Sequence, residues 1–234
     1  MNAARTGDAL RRLAGWAAAL LPQVCALCGE AGRTAVCARC AAGLPRTGAH
    51  CPSCALPASP GVLCGACRRH PPAYDRTVAP FQYSYPVDRL IQALKYRGRL
   101  ALGPFFAAAI GGAAPEGADL LVPVPLSRRR LRERGFNQAL EIARVVARQR
   151  GLRLERNLVV RRRDTRAQAA LSIADRRENV EGAFQAVGGV RGLRVAVVDD
   201  VMTTGATLAE IARVLKQAGA AQVENWVAAR ALGG

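Results

Sequence analysis

Two groups of residues in this chain have types and spacings that can do chemistry. The first is a set of eight cysteines, all between residues 25 and 67, arranged as Cys25/Cys28, Cys37/Cys40, Cys51/Cys54 and Cys64/Cys67. Two residues separate the members of each pair, a spacing that lets two thiolates reach one tetrahedral Zn²⁺ at roughly 2.3 Å per bond. Four pairs therefore supply two Zn²⁺ sites. Four thiolates fill the coordination shell and leave no place for water, which makes both sites structural. Intervals of 8, 10 and 9 residues between the pairs suit two small knuckles joined by a tight turn. The spacing leaves open whether the pairs combine sequentially or interleave.

The second group is Asp199-Asp200-Val201-Met202-Thr203-Thr204-Gly205-Ala206-Thr207, which follows the continuously apolar residues 195–198. Such an apolar run reads as a buried parallel strand, and ligands of parallel sheets bind beyond the carboxyl ends of their strands. Adjacent carboxylates there can hold vicinal hydroxyls, or a metal together with a diol. A Thr-Thr-Gly-x-Thr loop that opens a helix can wrap a phosphate in backbone N–H groups at the positive helix end. The implied ligand is a sugar phosphate with free neighbouring hydroxyls. No Gly-Lys-Ser/Thr is present, which excludes a nucleotide P-loop.

Disulfides are the competing use of the cysteines, and they require an oxidising compartment and an export signal. Arg11 and Arg12 before the apolar residues 13–21 imitate such a signal, but Pro22-Gln23-Val24 before Cys25 lacks the small residues of a cleavage site. The better reading is an amphipathic helix over 1–22, with Leu10, Leu13, Ala17, Leu20 and Leu21 near helical spacing, and a cytoplasmic protein. With eight thiolates available, His50 and His70 read as bystanders.

The elements that must position these residues follow from the hydrophobic pattern. Residues 68–72 read as a linker, with Pro71 and Pro72 forcing an extended path. Strand patterns at 77–85, 120–124, 154–160, 182–187, 195–198 and 223–228 then alternate with helical patterns at 87–96, 136–149 and 207–217. That alternation predicts an α/β domain around a mainly parallel sheet. The organisation is a helix over 1–22, a zinc module over 23–70 and an α/β domain over 75–234. Trp226 reads as core, and Phe81, Tyr83 and Tyr85 alternate on one strand face that is expected to pack on the zinc module.

A chain of 234 residues, half of them hydrophobic, buries a sizeable core. The uncharged apolar stretch over 13–21 ends at Pro22 and is too short to span a bilayer. The formal charge is +17, and residues 127–177 alone carry a net +11. A field of that sign favours polyanions, either phosphorylated small molecules or nucleic acid.

The 195–208 segment closely resembles the phosphoribosyl-diphosphate signature of type I phosphoribosyltransferases. The stretch from Tyr85 to Gly98, Val122-Pro123-Val124-Pro125-Leu126, Arg132-Glu133-Arg134-Gly135-Phe136-Asn137-Gln138, and Gln168 to Phe184 with Arg176, Arg177 and Asn179 narrow the resemblance to the ComF family (ComFC/GntX-like proteins). The resemblance implies a type I phosphoribosyltransferase-like fold, α/β with a mainly parallel sheet flanked by helices, behind an N-terminal double zinc ribbon. It implies that Asp199 and Asp200 hold the ribose hydroxyls, that Thr203, Thr204, Gly205, Ala206 and Thr207 hold the 5′-phosphate, that Val201 also belongs to the substrate-binding set, and that Mg²⁺ comes with phosphoribosyl diphosphate. Residues 122–127, Val124 and Pro125 among them, are expected beside the diphosphate with Arg128 and Arg134. A hood over 161–177 is expected to bring a cation, Arg163, to the leaving group.

Three functions fit this reading. One is phosphoribosyl transfer to an acceptor the sequence does not identify. The second is handling of single-stranded DNA during natural transformation, beside a competence helicase; Phe136 is the only aromatic residue in the basic stretch, which limits base stacking there. The third is a regulator that senses phosphoribosyl diphosphate without turnover. Self-association as a homodimer is left open.

Overall fold

The computed structural model describes residues 23–163 and 180–232. The helix expected over 1–22, with Trp16, and most of the expected hood, with Arg176, Arg177 and Asn179, lie outside the described residues. Two compact units are divided between Leu44 and Pro45.

In the first unit β1 (Gln23–Val24) and β2 (Ala31–Gly32) form an antiparallel ribbon, and α1 (Ala38–Ala42) starts directly after Cys37. In the second unit Cys51, Cys54 and Cys64 precede α2 (Gly65–Arg69), and Cys67 lies within it. There follow β3 (Arg76–Val78), β4 (Phe81–Gln82), α3 (Val87–Tyr96), α4 (Leu102–Ala113), β5 (Leu120–Pro123), α5 (Arg128–Arg134) and α6 (Gln138–Arg150). The chain then forms β6 (Arg153–Leu154), β7 (Val159–Arg161), β8 (Phe184–Ala186), β9 (Arg194–Met202), α7 (Ala206–Gln217) and β10 (Gln222–Arg230).

The main sheet has the order β3-β10-β9-β5-β6, with β4 also on β10, and every pairing is parallel. Central β9 and β10 are buried on both faces, which is why residues 195–198 and 226–229 are continuously apolar. On one face Leu208, Ile211 and Leu215 of α7 join Val195, Val197 and Val227 in a single core cluster. On α6 the buried positions are Ala139, Ile142, Ala143 and Val146, the face its period predicts. Trp226 is fully buried, as expected of a core residue.

Three expectations change. The strand over 77–85 is two pieces, because Ala79-Pro80 interrupts it and proline has no N–H for the ladder. Its aromatic residues do not act together: Phe81 stacks on Phe105 of α4 at 5.8 Å, meets Phe106 edge-on at 6.3 Å and has the Arg46 guanidinium of the expected zinc module 4.8 Å from its ring centroid, while Tyr85 is exposed. The strand over 154–160 is also two pieces, and its second half, β7, pairs antiparallel with β8 outside the main sheet.

Besides the short helices α1 and α2 among the cysteines, two helices of the α/β domain were not legible in the pattern. Helix α4 is apolar on nearly every side and contains Pro104, which is harmless because the first turn of a helix needs no N–H partner. Helix α5, Arg128 to Arg134, has only Leu131 as an apolar residue and is set by its ends. The Ser127 hydroxyl caps it by accepting from Arg130 N at 3.3 Å, and Gly135, at φ 76°, stops it in the left-handed conformation that glycine adopts without strain.

Candidate sugar-phosphate site and zinc centres

The cysteines gather sequentially, Cys25, Cys28, Cys37 and Cys40 in one cluster and Cys51, Cys54, Cys64 and Cys67 in the other, with the sulfurs of each cluster within 4.8 Å of one another. Bonds of 2.3 Å to a tetrahedral centre place sulfurs ~3.8 Å apart. Cys28 Sγ and Cys37 Sγ are 3.8 Å apart, and Cys54 Sγ and Cys64 Sγ 3.6 Å, so both clusters fit Zn²⁺ and neither approaches the roughly 2.05 Å of a disulfide. This settles the pairing that spacing left open.

The second site forms where β9 ends. Asp199, Asp200, Val201, Thr203 and Thr207 line a cavity of about 170 Å³, together with Val124, Pro125 and Leu126 beyond β5. Asn137 ties the start of α6 to the β5 edge. Its Oδ1 caps α6 by accepting from Ala139 N and Leu140 N, at 3.0 and 3.4 Å, while its Nδ2 donates to Val124 O at 3.0 Å.

Asp200 is buried, and Lys95 of α3 places its Nζ 3.1 Å from Asp200 Oδ2. The contact is an ion pair without hydrogen-bond geometry: Asp200 Oδ2 is buried and accepts no hydrogen bond among the described residues, so Lys95 meets its charge but not its hydrogen-bonding capacity. Burial depresses the Lys95 ammonium, but the charges of Asp200 and Asp199 outweigh it and hold the group above its ordinary value. Asp199 is partly exposed at the cavity wall and crowded by protein. Burial, and then the neighbouring Asp200 charge, push its carboxyl up to about 7, against the opposing pull of Lys95 and Arg134.

The loop after β9 turns on Gly205, at φ 82°. A Cβ there would lie 2.6 Å from Met202 Cε and 3.1 Å from the Tyr74 hydroxyl, so only glycine fits the turn that brings α7 to the cavity. Thr204 Oγ1 accepts from Ala206 N at 3.3 Å, and the first turn of α7 presents its positive pole. Thr204, Gly205 and Ala206 border a second cavity, with Tyr74 and Glu210, rather than the one lined by Asp199.

The arginines divide by helical geometry. Arg130 and Arg134, four residues apart on α5, line the cavity, whereas Arg128 lies on another face and stands outside it. Arg134 donates to Gln138 Oε1 at 3.0 Å and to Tyr96 Oη at 3.2 Å, and its guanidinium lies over the Tyr96 ring. Arg161 lines the cavity; Arg163 does not, its Nη2 donating to Glu181 O at 2.8 Å. Lys95 and Arg130 are not among the site residues expected from sequence, and Arg161 enters there only as the first residue of the hood. Lys95 is 105 positions before Asp200, and nothing local marks it as the partner.

A buried strand end with two acids, a glycine turn, a helix N-terminus and four cations can hold hydroxyls on one side and anionic oxygens on the other. No helix among the described residues is long and apolar enough to cross a membrane.

Comparison with known proteins gives a double zinc ribbon domain over residues 16–68 and a phosphoribosyl transferase domain over residues 136–233. The chain is 34% identical to the DNA utilization protein YhgH of Salmonella typhimurium (strain LT2), over 91% of this chain and 99% of that protein. It is 32% identical to Competence protein F of Haemophilus influenzae, over 72% and 78% of the two chains. With Competence protein ComFC of Bacillus subtilis it shares 29% identity over 83% and 84%.

Proposed function

The chain belongs to the ComF family, whose double zinc ribbon precedes a phosphoribosyltransferase domain, and from that premise we propose that it binds phosphoribosyl diphosphate with Mg²⁺ at the end of β9 and transfers the phosphoribosyl group to an acceptor. One observation carries the reading: Asp199, Asp200, Thr203 and Thr207 share a single cavity with Lys95, Arg130 and Arg134.

In this assignment the ribose hydroxyls donate to the carboxylates of Asp199 and Asp200, and the 5′-phosphate accepts from the Thr203 and Thr207 side of the loop at the N-terminus of α7. The bond from the anomeric carbon to the diphosphate oxygen breaks, a bond to the acceptor nucleophile forms at that carbon, and diphosphate leaves with the bonding electron pair. Arg130 and Arg134 stand where they can take up the charge that develops on the leaving group, beside Val124 and Pro125. Mg²⁺, arriving with the ligand, would face Asp199 and neutralise phosphate charge. Arg128 and Arg163, which stand outside the cavity, keep a role only in guiding the anion toward it.

The raised Asp199 carboxyl makes the reading testable. Its folded value of about 7 lies above the ordinary 3.8, so its contribution to stability is complete below about 4 and is lost as pH rises through 7. Hydroxyl donors favour the ionised form, so binding releases a proton below pH 7. Affinity for phosphoribosyl diphosphate with Mg²⁺ should therefore rise up to about tenfold per pH unit toward pH 7 and then level off. Asp199→Asn should remove that component, and calorimetry in buffers of different ionisation enthalpy reads it directly. An identical pH profile in wild type and variant would rule out Asp199 as the titrating ligand.

A second reading, single-stranded DNA handling, is favoured by the exposed arginines of α5 and by the names of the relatives. Replacing Arg128, Arg129 and Arg132, which face away from the cavity, should lower the salt slope of single-strand binding by about 2, at ~0.7 for each phosphate no longer neutralised. An unchanged slope would take α5 out of any DNA interface.

A further inference from the structure

Arg230 ends β10 and is 3% exposed, and four hydrogen bonds of its guanidinium go to carbonyl oxygens. Nε donates to Cys54 O at 2.7 Å, and Nη1 donates to Met202 O at 3.0 Å, to Ala231 O at 2.6 Å and to Thr203 O. A buried cation ordinarily has a partner charge. Among the described residues the negative group beside this one is the second cysteine centre, where four thiolates on Zn²⁺ carry a net charge of about −2. One side chain thus spans from the backbone of a zinc ligand to the backbone that turns out of β9.

A second link runs parallel to it. Tyr74 is buried, and its hydroxyl closes on the face of Gly205 where no Cβ fits. Tyr74 also belongs to one buried cluster with Cys51, Cys54, Cys67, Met202 and Ala206. The geometry has a direct consequence for the loop. A peptide unit is rigid and planar, so fixing the carbonyls of Met202 and Thr203 also fixes the directions of the N–H groups of Thr203 and Thr204.

We propose that Arg230 is a positioning residue that splints the Met202–Thr203 backbone to the second cysteine centre, so that zinc at Cys51, Cys54, Cys64 and Cys67, and not at the first centre, sets the shape of the phosphate loop. The functional consequence rests on the reading of 203–207 as that loop; the mechanical coupling does not. Loss of zinc from the second centre, by chelation or thiol oxidation, then lowers anion affinity at a site built from other residues.

The test uses the full chain as wild type, Cys28→Ser, Cys64→Ser and Arg230→Lys, with zinc content and amide hydrogen exchange measured on each. Exchange over residues 203–208 is expected to speed up about tenfold or more in Cys64→Ser and to stay at the wild-type rate in Cys28→Ser. Arg230→Lys, which keeps every zinc ligand and the charge but loses the fork, should retain two Zn²⁺ and still show the faster exchange. If Cys64→Ser does not fold, Arg230→Lys decides alone. Unchanged loop exchange in Arg230→Lys, or equal acceleration in Cys28→Ser and Cys64→Ser, overturns the proposal. Calorimetry with phosphoribosyl diphosphate and Mg²⁺ should show about a tenfold weaker affinity in Cys64→Ser and Arg230→Lys only. Altered exchange without any ligand binding to the wild type would sink the phosphate reading and leave the coupling standing.

Discussion

Stripping zinc from the protein is expected to leave residues 23–44 without a fold. Their secondary structure amounts to two strands of two residues and one helix of five, far short of a self-sufficient core. Zinc binding by such modules is worth on the order of 10 kcal/mol, and that binding energy is their folding energy. Metal analysis should find two Zn²⁺ per chain, one for each cysteine cluster. After chelation, the amides of Cys25 to Cys40 should exchange at the rate of a free peptide, and added Zn²⁺ should restore their protection. Protected amides in a protein free of zinc would contradict the assignment.

The second large effect lies at Lys95 and Asp200. Their side chains are 17% and 5% exposed, so removing one partner leaves a buried charge uncompensated. Lys95→Met and Asp200→Asn should each cost about 3–5 kcal/mol in denaturant unfolding. The double replacement removes both charges and should cost clearly less than the sum, with a coupling of at least about 2 kcal/mol. Additive losses would mean that Lys95 and Asp200 do not act as a pair. Because Lys95 belongs to α3 and Asp200 to β9, the pair also fixes that helix against the strand end where the ligand is placed.

What was legible in the sequence is what is contiguous in it. The strand, acid pair, glycine turn and helix of residues 195–217 lie in one run, so their local chemistry declares their arrangement. The cysteine pairs declare two metal centres for the same reason. Contacts across the fold left no such mark. Lys95 reads as an ordinary helix cation, and Arg230 as the polar end of a strand, until the sheet brings each to its partner. Choosing Arg128 over Arg130 is a matter of helix phase, which residues 128–134 do not reveal because arginine occupies five of the seven positions. The strand pattern over 154–160 is equally apolar in the main sheet and in the separate β7–β8 ribbon; only the pairing partner distinguishes them.

Every functional reading that uses phosphoribosyl diphosphate passes through the two carboxylates at the end of β9. The most direct measurement is calorimetric titration of the zinc-loaded protein with phosphoribosyl diphosphate and Mg²⁺ at pH 8, wild type beside Asp199→Asn/Asp200→Asn, with the fold of the variant checked by its zinc content and melting curve. Saturable wild-type binding, weakened at least about a hundredfold in the folded variant, is the expected result. Equal binding by both proteins, or none by the wild type with both zinc centres filled, would contradict the site.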